Sequence, residues 1–163
     1  MSKPNQPAPL RLAFTYQVNT MRDDSNRFRA AQHWVATQYG YSSMDVSLAI
    51  VDDPTIHELN REHLEHDWPT DVITFVFEQS DDHVEGEIIA SADTAARLSQ
   101  SAGWTPEDEL LLYVIHGLLH LAGLDDVEPE DQQKMRHAEY RCLLHLQVPG
   151  AEDFLDRWEG VSY

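Results

Sequence analysis

The stretch LLLYVIHGLLHLA at residues 110–122 constrains the fold most, because a helix formed by it would be apolar on nearly every side. Thr105 is a favourable N-cap, and Pro106 fits the first helical position. Three acidic residues follow in the first turn, where they interact favourably with the helix dipole. Gly123 ends the pattern, since glycine adopts the left-handed cap conformation without steric cost. We therefore predict a helix over residues 105–122 in apolar surroundings.

Two histidines interrupt the apolar pattern of this helix. His116 and His120 are four residues apart, so they lie on the same helix face and can bind one divalent ion together. A pair of hydrogen-bonded core histidines is the alternative interpretation of this spacing. The turn at Gly123 would let either Asp125 or Asp126 supply a third ligand. Two histidines and one carboxylate form an open first shell for zinc, with one position left for water.

Gly117 restricts the chemistry that such a site could perform. In HExxH metalloproteases the residue after the first histidine is a glutamate, which acts as the general base. Gly117 occupies this position here, so the pattern disfavours a proteolytic site. The main candidate nucleophile is then a hydroxide held by the metal ion, whose charge lowers the pKa of bound water.

Three blocks of this sequence resemble the YbeY family of metal-dependent endoribonucleases. HGLLHLAGLD at residues 116–125 is similar to the family signature. LN at residues 59–60 with DWPTDVITF at residues 67–75 is similar to a second block, and GEII at residues 86–89 followed by Ser91 to a third. The blocks follow the family's order and spacing and span about half of the chain.

The resemblance implies a function and a set of site residues. It implies a single-strand-specific endoribonuclease that acts in 16S rRNA maturation and ribosome quality control in the cytoplasm. One zinc ion per chain would be bound by His116, His120 and Asp126, and these residues would be catalytic through the metal-bound water. The implied partners are ribosomal RNA and the small ribosomal subunit, with ribosomal proteins and an assembly GTPase as further candidates and no membrane.

The chain departs from the family pattern at three positions. Asp126 stands where the family usually has a histidine ligand, which adds negative charge to the site. Leu64 stands where the family usually has an arginine that could contact phosphate. Arg61 is nearby but lies three positions earlier, so the role is not assigned to it. Val76 replaces a proline.

Two other classes of function compete with the endoribonuclease. The first is another metal-dependent hydrolase, of peptides for example, and Gly117 argues against it. The second is a ribosome-assembly binding factor with a structural metal. An acidic surface favours this second class, whereas the open ligand set argues against it, because structural zinc sites usually have four protein ligands.

Composition limits the remaining possibilities. The net charge of −18 counts against loose, non-specific binding of nucleic acid. Arg22, Arg27 and Arg29 could form a small basic edge near a predicted helix, although a solvated mixed-charge surface is the simpler interpretation. A single cysteine is compatible with a reducing cytoplasm. The sequence has neither a signal-peptide pattern nor an apolar run long enough to span a membrane.

The remaining patterns predict one α/β or α+β domain, and the resemblance implies an α+β fold. Its mixed four-stranded sheet would be packed by about five helices, with the metal site at the end of a central helix. We predict a disordered lead-in at residues 1–9, the metallo-endoribonuclease domain at 10–150 and an acidic tail at 151–163. The predicted strands are 10–18, 44–51, 72–77 and 87–91, and the predicted helices are 26–39, 53–65, 93–101, 105–122 and 128–145.

Several other polar residues have both a functional and a structural interpretation. Thr70, Asp71 and Ser91 lie in the matching blocks, so they either line the cleft or cap strand ends. Asp125, if it is not a ligand, is either a hydrogen-bond partner of a ligand histidine or a turn residue. The residues predicted to be structural or at the surface are His63, His66, His137, His145 and Cys142, of which the last should be small, buried and apolar.

Overall fold

The computed structural model describes residues 10–64 and 71–158, which form an α+β domain. The predicted fold class is confirmed. Four strands form one mixed sheet, and five α-helices and a 3-10 helix pack around it. The elements are β1 (Leu10–Tyr16), α1 (Ser25–Tyr39), β2 (Ser43–Val51), α2 (Asp53–Leu64), β3 (Val72–Gln79), β4 (His83–Ser91), α3 (Ala92–Ala102), α4 (Pro106–Leu121), α5 (Pro129–His145) and the C-terminal 3-10 helix (Ala151–Trp158).

The sheet has the strand order β1-β2-β4-β3. β1, β2 and β4 are parallel, and β3 is antiparallel to β4 at one edge. The short connection between β3 and β4 is sufficient for an antiparallel hairpin, whereas the parallel pairs need longer crossovers that contain helices. β3 is therefore an edge strand, with one side available to line a cleft.

The larger core lies between one face of the sheet and helices α1 and α4. The side chains of Val46 on β2 and Ile88 on β4 project from this face, and both are fully buried. Phe28 of α1 and Leu111 of α4 pack in the same cluster. Burying a side chain of this size contributes roughly 1.5–3 kcal/mol. The predicted apolar helix is therefore the central element of the core.

Two glycines allow α4 to lie unusually close to β4. A Cβ atom added at Gly117 would lie 2.8 Å from Cγ2 of Ile88, and one added at Gly86 would collide with Leu121 and with the backbone of β3. Neither glycine has a positive φ, so close packing rather than backbone conformation requires them. This contact fixes the depth and orientation of the end of α4 relative to the sheet edge.

The other face of the sheet is covered at one end by α2. Val51, Ile56, Ile73 and Ile89 form a separate, smaller apolar cluster there. Successive side chains of a strand point to opposite faces, so Val72 and Thr74 on β3 face the α4 side while Ile73 faces α2. β3 thereby contributes to both clusters.

The predicted elements agree with the structure except at some of their ends. β4 begins at His83 rather than at residue 87, because Val84 is fully buried and extends the alternating pattern. The first part of the predicted acidic tail forms the 3-10 helix, in which Phe154 is buried and stacks on Trp104. The predicted lead-in at residues 1–9 and the end of the tail at 159–163 lie outside the described residues.

No helix in the described part of the chain combines the length and the apolar character needed to cross a bilayer.

Candidate metal centre

The C-terminal end of α4 brings the two predicted histidines together. The Nε2 atoms of His116 and His120 are 3.0 Å apart. The helix ends where predicted, since Gly123 has a φ of 99°. The N–H of Gly123 donates to the carbonyl of His120, and the N–H of Leu124 donates to the carbonyl of Leu119. This tight reversal returns the following residues towards the histidine pair.

Asp126 is the carboxylate that the reversal places at the histidines. Its Oδ2 atom lies 3.3 Å from Nε2 of His116 and 3.4 Å from Nε2 of His120. Asp125 is exposed, and its Oδ1 atom accepts a hydrogen bond from the N–H of Asp126 at 2.8 Å. The structure therefore brings Asp126 into the site and shows Asp125 as a turn residue.

The other ring nitrogens of the two histidines have defined partners. Nδ1 of His120 lies 2.9 Å from the carbonyl oxygen of Leu124, which can only accept, so this Nδ1 carries a hydrogen. Nδ1 of His116 lies 2.7 Å from Oε1 of Glu139, whose side chain is completely buried. Both rings thus donate through Nδ1 and present Nε2 to the shared point, an arrangement typical of metal-binding histidines.

The three facing atoms fit a metal ion in number and spacing. Two Nε2 lone pairs and one carboxylate oxygen would repel one another at 3.0–3.4 Å unless a cation or a proton lay between them. A tetrahedral zinc ion with nitrogen ligands at about 2.0–2.1 Å holds its ligand atoms roughly 3.3 Å apart. His116, His120 and Asp126 could therefore hold one metal ion, and a fourth position would remain open.

The same contacts shift the protonation of the group. Burial lowers the pKa of His116, but hydrogen bonds to Asp126 and Glu139 and the nearby negative charges outweigh this effect and raise the pKa to about 9. The close contacts of its carboxylate with His116 and His120 hold the pKa of Asp126 well below its usual range. In the metal-free protein a proton on His116 therefore takes the place of the cation.

The site lies at the floor of a cleft of about 420 Å³ between β3 and the end of α4. His116, His120 and Asp126 line this cleft, so a substrate could approach a metal ion held by them. Asp71 lines the cleft, as one of the two interpretations of this residue predicted. The remaining lining residues all come from β3: Val72, Ile73, Thr74 and Val76.

Ser91 follows the structural one of its two predicted interpretations. It is fully buried at the end of β4, where its hydroxyl accepts a hydrogen bond from the N–H of Thr94 and donates one to Asp53. It therefore caps α3 and is not a lining residue of the cleft. Thr70, the third residue of this group, lies outside the described residues.

The residues predicted to be structural or at the surface are His63, His66, His137, His145 and Cys142. His137 and His145 are exposed on α5, and His145 packs against Trp34. Cys142 is fully buried, as predicted, and burial raises the pKa of its thiol to about 12. The side chain of His63 and all of His66 lie outside the described residues.

The predicted basic edge is partly neutralised. Arg27 forms ion pairs with Asp24 and Asp108, both at 2.7 Å. Arg29 lies over the ring of Phe14. The mixed-charge interpretation is therefore the better one for this region, because Arg27 is engaged with two aspartates.

Sequence reasoning missed Glu139, the partner of His116. A signal was present, because Glu139 lies among Met135, Ala138 and Cys142, the residues that form the buried stripe of α5. A glutamate in such a stripe requires a buried partner. The sequence alone does not show that the partner is a histidine of α4.

Sequence reasoning also missed a second group of possible ligands on the β3–β4 hairpin. Ligand atoms of Glu78, His83 and Glu85 lie within 4.8 Å of one another. Both glutamates belong to opposed positions of β3 and β4 next to a bulge. The group is more exposed than the α4 site and lies outside the cleft, so we assign it no role.

Comparison with known proteins identifies relatives over most of the chain. A family model described as endoribonuclease YbeY matches residues 15–147. A protein of that name from Rhodopirellula baltica is 46% identical over 112 residues, which cover 66% of this chain and 58% of that protein. Another from Bacteroides thetaiotaomicron is 34% identical over 135 residues, which cover 81% of this chain and 98% of that protein.

A solved structure shows the same fold. The solution structure of TM1509 from Thermotoga maritima matches with a TM-score of 0.56, covering 88% of this chain and 95% of that one. At 22% sequence identity this similarity shows the fold alone. The matched family region contains the end of α4 and the turn that carries Asp126. This chain belongs to the endoribonuclease YbeY family.

Proposed function

We propose that this chain is a metal-dependent endoribonuclease that cuts single-stranded RNA. The observation that supports the proposal most is the grouping of His116, His120 and Asp126 around one point at the floor of an open cleft. Relatives with the same family match are named endoribonucleases. The proposed biological role is 16S rRNA maturation and ribosome quality control.

We propose zinc as the ion, with one per chain. Imidazole ligands suit zinc, and the mixture of nitrogen and oxygen donors at tetrahedral spacing is compatible with it. When bound, the ion would lower the pKa of a water molecule and polarise a phosphoryl oxygen, the two effects that phosphodiester hydrolysis requires.

In this proposal the side chains of the site bind and orient. His116 and His120 bind through Nε2, and Asp126 binds through Oδ2. The carbonyl of Leu124 and the carboxylate of Glu139 hold the hydrogens on the two Nδ1 atoms, so that both Nε2 lone pairs stay directed at the ion. These contacts fix the ligand geometry before substrate arrives.

The side chains of β3 that line the cleft support a single-stranded RNA substrate. The wall formed by β3 presents Val72, Thr74 and the half-exposed Val76, which is 48% accessible. Single-stranded RNA can turn unstacked bases towards such a surface, whereas a duplex keeps its bases paired and presents phosphates and 2′-hydroxyls. Asp71 and Asp126 also make the metal-free cleft acidic, so a bound ion is needed to attract a phosphate.

We propose that the protein meets its RNA on the small ribosomal subunit in the cytoplasm. A chain with 11 basic and 29 acidic residues can neutralise few phosphates by itself. Ribosomal proteins, which are often basic, and an assembly GTPase would then supply the contacts that the chain lacks. The acidic surface that argues for a pure binding factor is equally well explained by this mode of recruitment.

The alternative of a peptide hydrolase built like HExxH enzymes has little support. The position of the general base is Gly117, where even a Cβ atom would meet Ile88 at 2.8 Å. A glutamate there would force the Ile88 side chain or α4 itself to shift. A purely structural metal is disfavoured because the three candidate ligands border a cleft.

The proposal is tested by measuring metal content and RNA cleavage together. Wild-type protein should contain about one zinc ion per chain and should cut single-stranded ribosomal RNA in a chelator-sensitive way. His116→Ala and His120→Ala should each lose both properties. His137→Ala is the matched control, because His137 is exposed on α5 and outside the site.

Different results would contradict different parts of the proposal. Full metal content in both ligand variants would remove the assigned site. Cleavage that persists in the ligand variants and in the presence of chelator would indicate a contaminating nuclease. Hydrolysis of casein but not RNA would favour the peptide hydrolase.

A further inference from the structure

We propose that Glu139 is a positioning residue for the metal centre, holding His116 in its metal-binding tautomer and orientation. The proposal rests on the metal site proposed above but not on its ribonuclease activity. In addition, Arg136 and the C-terminal 3-10 helix hold Glu139 in place. The assembly thus extends from Trp158 at the end of the described chain to the ligand histidine.

The two ligand histidines need different kinds of support. His120 lies in the last turn of α4, where the reversal at Gly123 brings the carbonyl of Leu124 back to its Nδ1. His116 lies one turn earlier, where the backbone carbonyls are used by the helix itself. Its Nδ1 therefore needs a side chain from another element, and α5 supplies Glu139 at 2.7 Å.

The environment of Glu139 makes this contact specific. Its side chain has no solvent exposure, and burying a carboxylate is costly unless it is paired and hydrogen-bonded. Within residues 10–64 and 71–158 it contacts His116 and Arg136, and Nη1 of Arg136 lies 2.9 Å from Oε2 and 3.2 Å from Oε1. A carboxylate held from both sides keeps its position when the metal is absent.

Arg136 is in turn held by the C-terminal 3-10 helix. Its guanidinium carbon lies 3.5 Å from the centre of the Trp158 ring, a close cation–π contact. Its side chain is only 20% exposed. The segment predicted as part of an acidic tail therefore contributes Trp158 to the support of the metal site.

Glu109 provides a matched control. Its side chain is also completely buried, and it is paired with Arg157 at 2.6 and 2.8 Å. It also accepts a hydrogen bond from the hydroxyl of Tyr113. Glu109 and Glu139 line the same small cavity of about 80 Å³. Of these two buried glutamates, only Glu139 contacts one of the candidate ligand histidines in the described part of the chain.

The experiment compares Glu139→Gln, Glu139→Ala and Glu109→Gln in the full chain. Zinc affinity is measured by chelator competition, and the tautomer of His116 by ¹⁵N NMR of its ring nitrogens in the metal-free protein at about pH 10, where the ring is neutral. Glu139→Ala should weaken zinc binding by about 10- to 100-fold, as loss of such partners typically does. It should also let the hydrogen of His116 move from Nδ1 to Nε2.

Glutamine serves as the conservative replacement. Its side-chain oxygen can still accept from Nδ1 of His116, so Glu139→Gln should retain the tautomer and recover most of the affinity lost in the alanine variant. Glu109→Gln should leave both readouts unchanged even if it lowers the melting temperature. If Glu139→Ala does not fold, the comparison of the two glutamine variants still tests the proposal: zinc affinity must then be lower in Glu139→Gln than in Glu109→Gln, because a neutral amide is a weaker acceptor for Nδ1 of His116 than a carboxylate.

The positioning role is overturned if the Glu139 variants and Glu109→Gln show the same zinc affinity and the same His116 tautomer. A wild-type protein that binds zinc but does not cut RNA would contradict the proposed function and leave the positioning comparison intact. The two failures are therefore distinguishable.

Discussion

The stability of the metal-free protein should fall as pH rises above neutrality. The pKa of His116 is about 9 in the folded protein and 6.5 ordinarily, because Asp126 and Glu139 favour the imidazolium. A group with a raised pKa stabilises the fold fully below its ordinary pKa, and this contribution is lost as pH rises through the folded-state value. The sensitive window is therefore pH 6.5 to 9.

The magnitude follows from the size of the shift. One pKa unit corresponds to 1.36 kcal/mol, so the whole contribution of His116 is about 3 kcal/mol, of which roughly 2 kcal/mol is lost between pH 6 and 8.5. For a chain of this length about 1 kcal/mol changes the melting temperature by 2–4 °C, so we expect a decrease of about 4–8 °C. Stopping at pH 8.5 avoids the titration of Cys142, whose thiol pKa is raised to about 12 and whose unfolded form ionises near pH 9.

The assay is thermal unfolding in chelator from pH 6 to 8.5, compared with the same scan of His116→Gln. Only the wild type should show the decrease. Zinc should reverse the trend, because it displaces the proton and its affinity rises with pH. A wild-type melting temperature that stays level or rises relative to His116→Gln would refute the assigned protonation.

Three further results are expected. Asp126→Ala should weaken zinc binding by about tenfold or more, and Asp125→Ala should leave it unchanged, because only Asp126 of the two reaches the histidines. Chelator competition measures both affinities, and the reverse result would assign the ligand to Asp125. Gly117→Ala should lower the free energy of unfolding in urea by about 1–2 kcal/mol, because overpacking against buried Ile88 outweighs the better helix propensity of alanine; a more stable variant would contradict the close packing of α4. The affinity for naked single-stranded RNA should depend weakly on salt, with a log–log slope shallower than about −4, since few phosphates can be neutralised; a steeper slope would require a basic surface that the net charge makes improbable.

The parts of the site that depend on local sequence could be predicted. The N-cap at Thr105, the glycine at position 123 and the spacing of His116 and His120 are all contained within about twenty consecutive residues. Each follows from helix geometry, capping and the conformational freedom of glycine. The structure shows the cap, the turn and the histidine pair in the expected places.

The parts that depend on distant residues could not be predicted in the same way. The choice of Asp125 or Asp126 as the ligand depends on the path of the short turn after α4. The local sequence pattern does not distinguish the two aspartates. The strand order β1-β2-β4-β3 was not predicted, and the family resemblance implied only a mixed four-stranded sheet. Alternating patterns show which face of a strand is buried and not which strand lies beside it. The pairing of Glu139 with His116 joins residues 23 positions apart on two helices.

The negative charge around the candidate metal centre explains why these distant contacts matter. Asp126 and Glu139 both carry negative charge next to His116, and Asp71 adds more at the wall of the cleft. Without compensation this charge would repel an RNA phosphate, so the proposed metal ion or Arg136 would have to provide positive charge at this end of α4. Arg136 is engaged with buried Glu139 and Trp158, which leaves the ion as the group that faces the cleft. In this chain the metal ion is therefore expected to determine substrate attraction as well as chemistry, and the supporting glutamate and arginine act on both through the geometry of His116.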